Sequence, residues 1–223
     1  MKHYKLIFLL ILLVENLLIA SPTQKTIQAI STQEKKQHFF AFIIPAVYRV
    51  YKELHENYED LKKLAATNPQ DKKVLALLKT YKANNIQELL EKLKPHPRSI
   101  TIAQAAIESA WGRSRFATVA NNYFGIWSIN PNEPRIAASQ KRGTKTIYLK
   151  KYASIDDSIK DYYKLLATGK AFKQFRKRKM QTDDPYTLVR YLENYSEKGS
   201  RYTKWVKNVI RHNNLTKYDF PLK

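Results

Sequence analysis

Apolar residues recur at helical spacing along most of the chain, and the places where they do not mark its organisation. Leu6 to Val14 is an uninterrupted apolar run, preceded by Lys2 and Lys5 and followed by Leu17 to Ala20. Its length suits the apolar stretch of an export signal and is short for a bilayer span, and Glu15 and Asn16 interrupt it. Residues 1–20 therefore read as a signal peptide, cleaved near Ser21-Pro22 or retained as a membrane anchor, with the folded part outside the cytoplasm. Residues 21–33 lack periodicity and read as a flexible leader. Val47, Val50, Tyr51, Leu54, Tyr58 and Leu61 then predict a helix, with Pro45 near its start or separating it from Phe39–Ile44. Asn68-Pro69 ends that run. Val74, Leu77, Leu78 and Tyr81 mark a second helix, and Asn85-Ile86-Gln87-Glu88 resembles a capping box for a third. Pro95 and Pro97 set a boundary: residues 21–97 are expected to form a leader and helical N-terminal extension, and residues 98–223 the functional domain.

Thr101 with Gln104 reads as the cap of a helix whose apolar stripe is Ala103, Ala106, Ile107, Ala110 and Trp111, with Gly112 as its stop. Between 121 and 152 the pattern changes. Tyr123, Phe124, Ile126, Trp127 and Ile129 are strand formers, Asn130-Pro131-Asn132 and Lys141–Thr144 are turn signals, and Thr146–Tyr152 is again rich in strand formers. This predicts a small hairpin lobe. Helices return at Ser154, where Asp157 completes a cap, at Asp184-Pro185, and at Ser200 ahead of Tyr202, Trp205, Val206, Val209 and Ile210. The expected class is mainly α (α+β), a helical domain with one inserted β-hairpin.

Composition narrows the chemistry. The 223 residues carry a formal net charge of +21, which calls for an acidic or polyanionic partner. No cysteine is present, which excludes disulfides, thiolate metal sites and a cysteine nucleophile. His3, His38, His55, His96 and His212 show no metal-ligand spacing, and no glycine-rich phosphate loop occurs. No metal and no cofactor are expected. The basic run Lys173–Lys179 reads as a solvated face, and in an exported protein it suits anionic wall polymers better than nucleic acid.

Glu108 is the residue to which chemistry attaches. Ala105, Ala106, Ser109 and Ala110 around it are small, so a bulky ligand can approach. Trp111, Tyr123, Phe124 and Trp127 supply aromatic surface of the kind on which sugar rings stack. A carboxyl in a partly dry aromatic cleft has its pKa raised and can deliver a proton near neutral pH.

The string Ala103-Gln104-Ala105-Ala106-Ile107-Glu108-Ser109-Ala110-Trp111-Gly112, followed by Asn121-Asn122-Tyr123-Phe124-Gly125-Ile126, resembles the glycoside hydrolase family 73 glucosaminidases, especially their Bax-like bacterial members. Tyr152-Ala153-Ser154, Asp161-Tyr162, Tyr195-Ser196, and Tyr202 before Trp205-Val206 follow in the same order. The resemblance covers roughly residues 98–215. It implies a lysozyme-like fold and an endo-β-N-acetylglucosaminidase acting on peptidoglycan strands; with the signal-like N-terminus, the expectation is an exported, periplasmic or envelope-located hydrolase, acting as a monomer. It implies Glu108 as general acid, and either Tyr195 or Tyr202 as a cleft tyrosine. Trp111, Asn122, Tyr123, Phe124, Trp127 and Gln140 become candidates for substrate binding. Some members carry a second Glu in the hairpin where this chain has Gln140. Glu133, in a proline-flanked turn, is then the carboxylate candidate there, unless the substrate's own N-acetyl group assists. A muramidase or lytic transglycosylase on the same fold, or a non-catalytic protein binding wall polyanions, remain alternatives. Arg113 and Arg115 are expected at the cleft rim.

Overall fold

The computed structural model describes residues 22–142 and 145–220, with side chains over 33–138 and 146–220. The signal-like segment 1–20 lies outside them. The chain is mainly helical with one antiparallel two-stranded ribbon. The first helix, α1, runs from Pro22 to Thr67 and contains Pro45. The segment expected as a flexible leader is thus helical from Pro22, and Pro45 neither starts the helix nor breaks it. Proline normally disrupts a helix interior because it removes an N–H and crowds the carbonyl four residues back. Here Pro45 and Ala41 both lie on the exposed face, so water can serve the freed carbonyl. On the opposite face Phe39, Ile43, Ala46, Val47 and Val50 are buried on both sides of the proline and hold the helix down.

The N-terminal helices are not a detached extension. Phe39 to Val50 share one core with α4 (Arg98–Glu108), α6 (Ile155–Thr168) and α9 (Ser200–His212). A second cluster of Leu61, Ala65, Val74 and Leu89 joins the far end of α1 to α2 (Lys72–Tyr81) and α3 (Ile86–Leu93). Asp71 caps α2, and Asn85 caps α3 by accepting from the Glu88 N–H at 2.8 Å. Glu88 reaches back to the Asn84 N–H at 2.9 Å, one residue before the cap, so the expected box forms with a shifted return bond. The buried Lys92 donates to the carbonyls of Tyr81 and Lys82, closing the end of α2.

α4 begins at Arg98 with Pro97 as its cap residue, four residues earlier than expected. Thr101 and Gln104 are therefore inside the helix, fully buried, with their side chains spent on tertiary hydrogen bonds. A 3₁₀ turn over Leu215–Tyr218 packs near the start of α4, where the Ser99 N–H donates to Asp219 at 2.8 Å and Arg98 donates to the Phe220 carbonyl. The Ser154–Asp157 capping box of α6 forms in full, and Asp184 caps the short α8 (Pro185–Leu188). In α7 (Lys173–Lys179), the stretch expected to be a solvated face, Arg176 and Lys179 are buried. Arg176 donates to the carbonyls of Leu166 and Gly169, and Lys179 to that of Lys94.

The ribbon pairs β1 (Arg135–Arg142) with β2 (Lys145–Lys150), with Ala137 opposite Tyr148 and an irregularity between Ala137 and Lys141. The strand formers from Tyr123 to Ile129 do not make a regular strand. They form a loop joined to the ribbon at one bridge, Trp127 to Leu149. The reason is local: Asn122 takes the backbone of its own loop, bonding both the N–H and the carbonyl of Ile126 and also the Lys150 carbonyl.

Because Pro45 costs α1 a hydrogen bond without filling the core, Pro45→Ala is expected to raise stability by about 1–3 kcal/mol. Denaturant unfolding measures it, and a lower midpoint would mean that the helix needs a bend there.

Candidate active site

Nine of the eleven residues of α4 are buried, so the helix is held on every side and its last residue, Glu108, is positioned by the core. The chain then reverses tightly. Ala110, Trp111 and Gly112 all have positive φ, at 50°, 59° and 75°. Two successive non-glycine residues in the left-handed region are costly unless the surroundings enforce them. Ser109 does so. Its hydroxyl donates to the Ala105 carbonyl at 2.5 Å and accepts from the Gly112 N–H at 2.7 Å, while its carbonyl accepts from Arg113 and Ser114. Ser114 in turn caps α5 (Arg115–Ala120). The Ser and Gly after Glu108 are thus the parts of a turn that ends the helix abruptly.

Glu108 opens into a groove of about 1020 Å³. One wall is Phe124, Gly125, Ile126, Trp127 and Ile129; the other is Tyr195 to Lys198 with part of α6. Gly125, at φ 65°, borders the carboxyl so closely that a Cβ there would lie 3.8 Å from Oε2. Glycine at this point keeps the carboxyl open. Burial raises the pKa of Glu108, opposed by a hydrogen bond from Tyr202 and by the nearby Lys198 ammonium. The result is a carboxyl that holds its proton to a higher pH than a solvated one. Tyr195 stands in the groove wall and donates to the Phe124 carbonyl at 3.0 Å, tying the two walls together. Its ring stacks on that of the buried Tyr202 at 5.6 Å.

A second polar group lies further along. Asp161, from α6, receives Lys150 at 2.9 Å and the Tyr152 hydroxyl at 2.8 Å, both on Oδ2. Lys150 also faces Glu133 at 3.7 Å. Burial works against the Lys150 ammonium, but Asp161 and Glu133 outweigh it and raise its pKa. Lys150 and Asp161 line the groove; Glu133 touches it through Lys150.

A family model described as mannosyl-glycoprotein endo-beta-N-acetylglucosaminidase matches residues 83–215, more than half of the chain. The chain belongs to the glucosaminidase family. Protein bax of Escherichia coli K12 is 29% identical over 131 residues, covering 56% of this chain and 46% of bax. Exo-glucosaminidase LytG of Bacillus subtilis 168 is 36% identical over 92 residues, covering 39% of this chain and 32% of LytG. The chain spans less than half the length of these curated relatives. The catalytic domain of the Listeria monocytogenes autolysin Auto superposes with a TM-score of 0.55 at 20% identity, over 89% of this chain and 98% of that one. An N-acetylmuramoyl-L-alanine amidase structure from Staphylococcus aureus gives 0.54 at 20% identity, over 85% of this chain and 44% of that one. At that identity the likeness shows a shared fold, here the mainly helical lysozyme-like fold with its small ribbon.

Within this glucosaminidase fold the sequence candidates separate. Glu108, Phe124, Trp127 and Tyr195 meet at the groove. Tyr202 lies behind Glu108, 1% exposed. Asn122 is buried and holds the loop, as described above. Trp111 is carried by the reversal away from the groove, onto α1, where it packs edge-on against Phe39 and Phe40. Tyr123 packs against Phe42. Gln140 belongs to β1, but its side chain lies outside the described ones. Arg113 lines a separate hollow of about 340 Å³ beside α1, and Arg115 donates to the Ala137 carbonyl of the ribbon, so neither lines the groove. Lys150, Lys164 and Lys198 were not singled out from sequence, since single lysines in so basic a chain carry no signal; each lines the groove. Ser109 was read only as a small neighbour of Glu108.

Gly112→Ala places a Cβ 2.9 Å from the Phe42 ring at a left-handed residue. It is expected to cost about 1–3 kcal/mol of stability, read by thermal denaturation.

Proposed function

We propose that this protein is an exported endo-β-N-acetylglucosaminidase that hydrolyses peptidoglycan, with Glu108 as its general acid. The observation that carries the reading is the Glu108 carboxyl itself: it ends a buried helix, opens into an aromatic-walled groove, and has its pKa raised by burial. Family membership supports the reaction class. The name of LytG, exo-glucosaminidase, and that of Auto, an autolysin, support a glycan and wall substrate. The groove is at the upper end of the size range of small-ligand pockets, with room for more than one sugar ring, which favours an internal cut.

In this reading the protonated Glu108 donates to the glycosidic oxygen as its bond to C1 breaks, and positive charge grows on C1 and the ring oxygen of the N-acetylglucosamine that stays bound. Phe124 and Trp127 take its apolar ring face. The substrate's N-acetyl oxygen captures C1 from the opposite side, and water later opens the cyclic intermediate. Asp161 suits the task of orienting that acetamide: both its side-chain donors fall on Oδ2, which leaves Oδ1 to accept the acetamide N–H. Glu133, behind Lys150, assists by holding that ammonium against Asp161. Lys164 and Lys198 in the groove lining attract the acidic groups of wall polymers.

Glu108→Gln is expected to lower muropeptide release from purified sacculi by at least about a thousandfold with circular dichroism unchanged. Full activity in that variant would refute the acid assignment. Mass spectrometry of the wild-type products is expected to show new N-acetylglucosamine reducing ends on multi-sugar fragments. Muramic or anhydro-muramic ends would instead indicate a muramidase or lytic transglycosylase, and salt-sensitive binding without digestion a non-catalytic wall protein.

The electrostatics predict a direction. The Lys198 cation favours the ionised form of Glu108, so its removal disfavours that form and raises the pKa further. The acid is active when protonated, so Lys198→Met is expected to move the alkaline limb of the kcat–pH profile upward. A downward shift would contradict this electrostatic account.

A further inference from the structure

Behind Glu108 the core contains a run of buried polar side chains that turnover itself does not call for. Gln104 and Glu108 are four residues apart on α4, one helical turn, and project to the same side. The Gln104 amide is fully buried between two tyrosines. Its Nε2 donates to the Tyr202 hydroxyl at 2.8 Å, and its Oε1 accepts from the Tyr162 hydroxyl at 2.6 Å. The Tyr162 hydroxyl lies 3.0 Å from His96 Nε2, and that same nitrogen lies 3.1 Å from the Thr101 hydroxyl. The Tyr202 hydroxyl faces the Glu108 carboxyl, where it favours the ionised form.

These contacts define a direction. Tyr162 gives its proton to Gln104, so it accepts from His96, which then carries its hydrogen on Nε2. Burial, aided by the Lys179 charge, disfavours the imidazolium form of His96, so the ring is neutral. With its oxygen at Tyr162 and its NH₂ at Tyr202 both ends of the Gln104 amide are bonded; the reversed amide would turn every donor in the run around. With the Gln104 N–H already on its oxygen, the Tyr202 hydroxyl directs its own hydrogen to Glu108. The donors therefore run one way: His96, Tyr162, Gln104, Tyr202, Glu108. An amide does not pass a proton along, so this is not a proton wire.

We propose that Gln104 is a positioning residue, which fixes the Tyr202 hydroxyl as a donor to Glu108 and so sets where the acid's lone pairs and proton lie and at what pH it ionises. This rests on the reading of Glu108 as the acid. Apolar packing alone does not ask for a glutamine here. A leucine or methionine fills the same space, and a buried amide costs stability unless both its ends are bonded. The groups that face Glu108 are Tyr202 from α9, Lys198 from the segment before it, and the rings of Tyr195 and Tyr162. Of these, Gln104 bonds Tyr162 and Tyr202, and Tyr202 is the one to which it donates.

The test is a cycle of Gln104→Met, Tyr202→Phe and the double variant, all in the full chain. Two quantities are read: the ionisation midpoint of Glu108 from carboxyl ¹³C NMR, with Glu108→Gln identifying the resonance, and kcat and KM against pH on a soluble glycan. Gln104→Met is expected to raise the midpoint by about 0.5 unit, a threefold change in the protonation equilibrium. It is expected to lower kcat about tenfold with KM within about twofold, since it weakens an interaction with the acid and none with the ground-state sugar. Tyr202→Phe shifts the midpoint in the same direction and further. The decisive comparison is that Gln104→Met changes neither quantity once Tyr202→Phe is present. Additive effects, or an unchanged midpoint, would overturn the proposal and leave Gln104 a packing residue. If Gln104→Met does not fold, Tyr162→Phe removes the hydrogen bond that orients the amide while keeping the ring. It must then produce a smaller upward shift that also vanishes in the Tyr202→Phe background, and absence of that shift overturns the proposal. The NMR midpoint needs no turnover, so a coupled midpoint in a protein whose Glu108→Gln variant stays active would refute the acid reading and spare the Gln104 coupling.

Discussion

The site depends on a carboxyl held at the boundary between a dry interior and a wet groove. α4 is buried along nearly all its length, so Glu108 cannot retreat to bulk water by moving its backbone. Gly125 lies against it on the groove side, and Tyr202 meets it from the core. Full burial would leave the group permanently protonated and out of reach, and full exposure would leave it ionised and useless as an acid near neutral pH. The burial that raises its pKa is partly offset by Tyr202 and Lys198, and that balance makes the group adjustable. The abrupt end of the helix serves the same boundary. The left-handed turn at Ala110–Gly112, held by Ser109, takes the chain away at once.

Much of this was legible in the sequence, and the failures have physical causes. The helices carry caps with direct local signatures, and Asp71, Asn85, Ser154 and Asp184 occupy those roles. Glu108, Phe124, Trp127 and Tyr195, picked by motif and aromatic content, meet at one groove. The small residues around Glu108 were read as leaving room for ligand. In the structure Ala103, Ala105 and Ala106 are small because the core closes on α4 from several sides. The polar pair Thr101 and Gln104 looked like a cap because such residues usually sit at helix ends. Their partners, Tyr163, Tyr162 and Tyr202, are 58 or more residues away in sequence, and no local pattern announces such bonds.

The other misplacements share one origin, the backbone path. Trp111 follows Glu108 by three residues and on a continuing helix would have stood near it. Two residues at positive φ carry it to α1 instead, where it packs on Phe39 and Phe40 and has the Lys36 ammonium over its ring. Tyr123 meets Phe42. These aromatics join α1 to the functional half of the molecule. This explains how a helix read as part of an N-terminal extension forms one side of the core. Pro45 is tolerated for the same reason: the apolar contacts that flank it belong to the whole fold and outweigh one missing backbone bond.

Charge is distributed with equal purpose in the groove, where net charge alone would have been a poor guide. Of the groove lysines, Lys150 is committed to Asp161 and Glu133, whereas Lys198 acts on Glu108 through space. The first fixes a carboxylate in place on α6; the second lowers the cost of ionising a carboxyl on α4. Both cations favour the carboxylate form of the acid they face, and it is burial that sets Glu108 apart by opposing that form. Asp161 is held as an acceptor by donors on one oxygen, while Glu108 is pushed by burial toward its protonated form. A glycosidase that protonates a leaving oxygen and stabilises positive charge needs that asymmetry between its acidic groups. It arises here because a helix end, a glycine turn and a lysine at the edge of α9 converge on one carboxyl, whereas a helix face, a ribbon lysine and a tyrosine converge on the other.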